Sequence, residues 1–318
     1  MRERRRPLVW SSTAAALFVA VAVALLALGI FGESFYIRLV TRAMILALAA
    51  LALHLLVGVA GLVSLGQAAF LGVGAYAVGI LAEHGVHDGV VHWLVAVAAA
   101  ALTALLVGAP SLRTRGVPFI MITLAFAQML YFVSNSLSRY GGNDGLTIWV
   151  PSRFPGGLSS SKPETLAWLS FVILLLAYLG LGRLRASRFG RVLRGAKENE
   201  RRMSALGFAV QRYRLAAFVL SGALTGLAGA MLANLTEFVA PAYMSWHRSG
   251  ELLAMVVLGG SVHLHGAVVG AFLFVFIEET LSRFTSHWAL VFGPFLVLAV
   301  LTDRGRTLRR LTTRIRDH

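Results

Sequence analysis

The side chains of this 318-residue chain that could do chemistry are few, and most of them form hydrogen bonds rather than make or break covalent ones. Ser64, Gln67 and Thr123 sit inside long apolar runs. There a polar group must bond a neighbouring helix or face a passage for a polar solute, and the sequence leaves both readings open. His84, His87, Asp88 and His92 are metal-ligand types, but their spacings do not lock them onto one helix face, and a solvated loop is expected. His54 reads as a packed core residue, and His263 and His265 flank a turn before Gly266. With no cysteine there is no thiolate, disulfide or redox chemistry. Gly72-Val-Gly74 begins a dinucleotide fingerprint that lacks its remaining glycine and its preceding strand. No G-x-x-x-x-G-K-[ST] exists, so the chain has no P-loop for hydrolysing ATP. The sequence therefore offers no catalytic residues and no metal site.

The elements that must hold these groups are set by composition. Hydrophobic residues make up 58% of the chain and charged residues 14%, too apolar for a soluble domain. Apolar runs of roughly 17–25 residues recur, the length that crosses a ~30 Å hydrocarbon layer as helix. Passes are predicted at 13–31, 38–57, 60–82, 92–109, 117–135, 165–182, 215–235, 250–263, 266–282 and 287–302. The eighth is short, ends in Gly259-Gly260-Ser261 and reads as either a span or a re-entrant piece. The alternating ten-residue strands of a membrane barrel are absent. The expected fold is an all-α polytopic membrane protein of about ten transmembrane helices.

Net charge is +15, yet its placement argues for topology rather than nucleic acid. Of 29 Lys and Arg, four lie in 1–12, two in 110–116, ten in 183–214 and six in 303–318. Ten alternating passes put those four stretches on one side, which the positive-inside rule makes cytoplasmic, with both termini there. Arg2, Arg4, Arg5 and Arg6 before an apolar run could open a signal peptide, but the long run that follows favours an uncleaved first helix. The expected layout is a basic N-terminus at 1–12, a transmembrane domain at 13–302 and a basic tail at 303–318. No pass has an acidic residue near its centre, so ion-gradient coupling is disfavoured and the driving energy must come from elsewhere.

Small residues supply the packing signal. On a helix at about 100° per residue, Gly61, Ser64, Ala68, Gly72, Ala75 and Gly79 fall within about 80°. Gly222, Gly226, Gly229 and Ala233 span about 60° on the same basis, and Gly266 and Gly270 form a small-xxx-small pair. Such stripes pack helices closely or line a path. The 136–164 loop contains the turn-rich Tyr140-Gly-Gly-Asn-Asp-Gly145, and long loops of this kind usually have a role. The 183–214 segment carries a patchy apolar face at Phe189, Val192, Leu193, Ala196, Met203 and Leu206. One or two amphipathic helices are expected there, either as a docking surface or as a solvated basic loop.

Several blocks together resemble the permease subunits of branched-chain amino-acid ABC importers, the LivH/LivM type and more the M-like subunit. They are Gly61–Tyr76, Ile122-Thr-Leu-Ala-Phe126, Gly141-Gly-Asn-Asp-Gly-Leu146, Ser187–Arg194 with Glu198-Asn-Glu200, Ala217–Ala230, and Leu258-Gly-Gly260 with Gly266. The resemblance covers roughly 40–300. It implies an ABC importer permease fold in a bacterial inner membrane and a homologous second permease. It also implies two cytoplasmic ATPases that hold the ATP and Mg, and an extracytoplasmic solute-binding protein; this chain itself would carry no cofactor. The 183–214 loop would then be the ATPase-coupling segment, with Gly190, Arg191, Arg194, Ala196, Glu198, Asn199, Glu200, Ala205 and Gly207 as its candidate residues. Arg201-Arg-Met-Ser-Ala-Leu-Gly207 departs from the commoner Glu-Ala-Ala signature. Ser64, Gln67 and Thr123 would face the substrate pathway. Leucine, isoleucine and valine are the expected solutes; urea, short amides and a stand-alone secondary carrier are the alternatives.

Overall fold

The computed structural model describes residues 12–31, 34–154, 158–159, 162–260, 263–285, 287 and 289–297. The basic N-terminus up to residue 11, the tail at 303–318 and the end of the tenth predicted pass lie outside them, as does Ser261. Eleven named helices follow one another: α1 (Ser12–Phe31), α2 (Ser34–His54), α3 (Gln67–Glu83), α4 (Gly89–Ser111), α5 (Val117–Ser136), α6 (Pro163–Ala186), α7 (Arg188–Glu198), α8 (Glu200–Ala205), α9 (Val210–Thr236), α10 (Trp246–Leu258) and α11 (Leu264–Ser282). Residues 289–297 are also helical.

The bundle sorts its helices by how completely they are apolar. In α2 nearly every side chain from Ile37 to His54 is buried, as expected of a helix hydrophobic all round. It packs against α6, α9, α10 and α11. Helix α9 is the second axis, packed against α3 and α4, which also pack on each other. Helices α4, α5 and α6 lie at the periphery and expose Leu94, Leu106, Met121, Phe132 and Leu176, an outer surface suited to lipid or to another apolar helix.

Among the described residues, six helices are long and apolar enough to cross a membrane: Ser34–Ala60, Gly89–Ser111, Val117–Ser136, Pro163–Ala186, Val210–Thr236 and Leu264–Ser282. Ala14–Ala27 within α1 and Gln67–Glu83 are apolar but shorter. The reading of 60–82 as one helix needs correction. Helix α2 continues as a π-turn, Leu55–Ala60, and stops at Gly61, whose φ of 72° is the left-handed conformation that favours glycine. The chain is then non-helical until Gln67, so Gly61 and Ser64 do not belong to the α3 stripe. The eighth predicted pass is likewise short: α10 has 13 residues, about 20 Å of helix, against the ~30 Å of a hydrocarbon core.

The remaining stripe glycines do set close approaches. A methyl group on Gly74 would strike the Gly226 carbonyl, and one on Gly229 the Leu71 carbonyl. Gly222 and Gly226 face Ala104 and Ala100 of α4. Gly72 leaves a notch that the Met244 side chain fills from the 3₁₀ turn Pro241–Met244, and Gly79 lies beneath Leu146 and Val239. Gly266 and Gly270 bring α11 onto the backbone of α10 at Gly259 and Met255. The long 136–164 connection is pinned to the end of α9, where Leu146–Thr147 pairs antiparallel with Phe238–Val239.

Gly74→Val should therefore cost about 1–3 kcal/mol or more through overpacking. In a thermal melt of detergent-purified protein that is roughly 2–4 °C per kcal/mol. Gly180→Val, on α6 with open space around it, should leave the melt close to wild type. Equal effects at the two sites would contradict the packing described.

Candidate functional site

The interruption at residues 61–66 gathers the polar groups that the sequence singled out. Within it Ser64 Oγ accepts from the Gly66 N–H at 3.2 Å. Gly66 lies so close to α5 that a methyl group there would sit 2.8 Å from the Thr123 carbonyl oxygen. Helix α3 then begins, and its orphan Ala68 N–H donates to Ser249 Oγ of α10 at 3.1 Å. Ser64, Gln67 and Thr123 thus come together, each fully buried.

Gln67 binds three helices into one network. Its Nε2 lies 2.8 Å from Ser221 Oγ and 2.6 Å from Thr225 Oγ1, both on α9. The Ser221 hydroxyl donates to the Ala52 carbonyl of α2 at 2.6 Å, and the Thr225 hydroxyl to the Ser221 carbonyl at 2.9 Å. Both hydroxyl protons are thereby committed, so each oxygen can only accept from Gln67, which fixes the orientation of its amide. Gln67 Oε1 is buried with no partner among the described residues. Thr123 Oγ1 donates back to the Ile120 carbonyl at 3.0 Å. In the isolated chain these three side chains are hydrogen-bonded within the bundle, beneath packed neighbours.

The segment between α6 and α9 folds as two short helices. Ser187 closes α6, its hydroxyl donating to Leu184, and α7 buries Gly190, Val192, Leu193 and Ala196. Gly190 is held against the Leu184 and Arg185 carbonyls. Asn199 caps α8 by accepting from the Arg202 N–H at 3.0 Å. Glu200 points inward. One carboxylate oxygen is 2.6 Å from Arg214 of α9 and the other 2.7 Å from Arg115, which follows α4. Lys197 Nζ donates to the Gly58 and Val57 carbonyls at 2.9 and 3.3 Å, at the end of the π-turn. Arg191, Glu198, Asn199, Ala205 and Gly207 are exposed, and Arg194 is half-buried. Leu206 and Phe208 add apolar exposure. Leu206, read from the sequence as part of the apolar face, lies on the exposed side instead. Lys197, Arg115, Arg214 and Phe208 were not singled out in the sequence; the signal available was arginine and lysine at the borders of apolar runs.

At the opposite end of the bundle, His92 bridges Ser152 Oγ at 2.8 Å and the Val86 carbonyl at 2.7 Å, and Ser152 reaches Asn234 at 2.7 Å. Asp88 caps α4 by accepting from Val90 and Val91. A cavity of about 440 Å³ opens beside Gly79, Glu83, Leu146, Thr147 and Trp149. Arg42 of α2 forms a two-oxygen ion pair with Glu278 of α11 at 2.9 and 3.0 Å.

Residues 35–301 match the model of a family described as branched-chain amino acid transport system / permease component. The high-affinity branched-chain amino acid transport system permease protein LivM of Escherichia coli (strain K12) is 29% identical over 291 residues, covering 83% of this chain and 68% of that protein. The probable branched-chain amino acid transport permease protein LivH of Methanocaldococcus jannaschii is 38% identical over 132 residues, 40% of this chain and 38% of that one. The autoinducer 2 import system permease protein LsrC of Enterobacter sp. (strain 638) is 29% identical over 256 residues, 76% and 71%. No solved structure matches.

Replacing Gln67 by Met leaves the Ser221 and Thr225 oxygens without their donor and should cost about 1 kcal/mol. Combined with Thr225→Val, a double-mutant cycle in detergent melts should give a coupling energy of about 0.5–1.5 kcal/mol. Strict additivity would mean that the amide clamp contributes nothing.

Proposed function

The chain belongs to the family of branched-chain amino acid transport system permease components, and from that premise we propose that it is the membrane-spanning subunit of an ATP-driven importer of leucine, isoleucine and valine. It is a transport subunit and not an enzyme. ATP and Mg belong to two partner ATPases at the Arg-rich, cytoplasmic end. A second, homologous permease completes the membrane unit, and an extracytoplasmic binding protein delivers the solute. With α1, the shortened α3, the short α10 and the helix at 289–297, about ten crossings or part-crossings are proposed, with both termini cytoplasmic.

The observation that carries this reading is the α7–α8 pair. It lies between two long apolar helices at the basic end of a bundle that has no P-loop of its own. Its inner face is packed on the bundle, while Leu206 and Phe208, 65% and 39% exposed, face outward, where a groove of an ATPase would cover them. The amphipathic pair therefore supports an external engine. At the other end, the cavity beside Glu83 and Trp149 is our proposed receiving site for the solute. Closely packed helices such as α3, α4 and α9 move as rigid bodies, which suits a two-state gate. Ser64, Gln67 and Thr123 remain our candidates for the groups exposed to solute when that gate opens.

Uptake of labelled leucine tests the proposal, with the chain reconstituted in liposomes together with the second permease, ATPases and binding protein encoded beside it. Uptake should require ATP and every component. ATP hydrolysis stimulated by the binding protein without leucine uptake would keep the machine and discard this substrate. Uptake by this chain alone would overturn the importer assignment.

A further inference from the structure

The α7–α8 pair holds the interruption at residues 61–66 from both sides. On the upstream side, Lys197 places its ammonium on the Val57 and Gly58 carbonyls, and its aliphatic stem lies against Gly61. Those carbonyls end a π-turn, where the helical ladder is least regular and the last acceptors have no partner within the helix. A cation at that terminus also complements the negative end of the helix dipole. On the downstream side the connection runs through α9. Glu200 is joined to Arg214 by a 2.6 Å charge-assisted hydrogen bond, with both side chains largely buried at 14% and 11% exposure. Arg214 Nη2 also reaches the Ala196 carbonyl of α7 at 3.5 Å.

Arg214 is seven residues before Ser221, which puts the two within about 20° on the same helix face and ~10 Å apart along the axis. Ser221 and Thr225 on that face hold Gln67, the first residue after the interruption. The two anchors therefore straddle six non-helical residues, Gly61 to Gly66, that connect the π-turn closing α2 to the start of α3, where Gln67 is held near the midpoint of α9. A helix pair tied to both sides cannot shift without moving the residues it holds.

We propose that α7–α8 acts specifically on the 61–66 interruption, with Lys197 positioning its upstream side and the Glu200–Arg214 pair, through α9 and Gln67, its downstream side. Glu200 is then a positioning residue within this chain rather than a contact to the ATPase, because its carboxylate is engaged by Arg214 and Arg115. The inference rests on the importer reading, since it needs an engine to move α7–α8.

The test uses the full reconstituted importer and reads leucine taken up per ATP hydrolysed. Lys197→Met and Glu200→Gln should each lower that ratio by at least about fivefold, the lower range of allosteric couplings, while ATP hydrolysis continues. Lys197→Arg should restore the first, and the charge swap Glu200→Arg with Arg214→Glu should recover at least part of the second. Lys197 is exposed, so water can reach the carbonyls that Lys197→Met leaves, and this variant carries the test where a Glu200 variant does not assemble. A wild-type ratio in Lys197→Met overturns the inference alone. A wild-type complex that takes up no solute on addition of ATP sinks the importer reading and this inference with it. A swap variant that assembles but transports no better than Glu200→Gln removes the downstream anchor.

Discussion

Breaking a helix inside an apolar bundle strips backbone N–H and C=O groups of their partners, and each must be satisfied by something other than water. This constraint shapes the centre of the molecule. The π-turn closing α2 gives its carbonyls to Lys197, Ser64 takes the Gly66 N–H, and Ser249 takes the Ala68 N–H. Three separate elements, α7, the interruption itself and α10, are committed to making one discontinuity affordable. A continuous helix would have needed none of them.

Close packing follows from the same economy of space. Once α3 begins midway along α9, it can be held there only if the two backbones nearly touch, which is what Gly74, Gly226 and Gly229 permit. Ala96, Ala100 and Ala104 bring α4 onto the neighbouring face of α9 at similar range, and α4 also packs on α3. Short distances multiply dispersion contacts, the main attraction left between helices when lipid is as apolar as leucine. The Gln67 clamp then adds direction to an otherwise featureless apolar contact, fixing which residue of α3 meets which residue of α9.

Charges are distributed by partner. Glu278 is paired with Arg42, Glu251 with Arg248, and Glu200 with Arg214 and Arg115. The first pair joins α2 to α11 and the second lies within α10, both on helices where lone charges would be expensive. The third joins the α7–α8 pair to the helices it lies against. In the importer reading it stands between the engine and the gate, where an ion pair that fixes the fold would also carry motion.

The sequence alone determined the class of molecule, because hydrophobic runs, the placement of arginine and the absence of a P-loop are local or compositional properties. It also determined that 183–214 would be amphipathic, since the apolar face of α7 recurs at helical spacing within eleven residues. The stripe reading of Gly72, Gly79, Gly222, Gly226 and Gly229 placed these glycines at contacts for the same reason. What periodicity did not show was the interruption: Gly61–Gly66 is as apolar and as regularly spaced as the helix that follows it. Only tertiary structure decided that the chain leaves the helix there, because the groups that compensate the lost hydrogen bonds lie far along the chain, at Lys197 and Ser249. Gln67 and Ser221 are 154 residues apart, and Arg42 and Glu278 are 236 apart. No local pattern encodes such pairs; they exist because helices that are distant in sequence must satisfy one another where water is excluded.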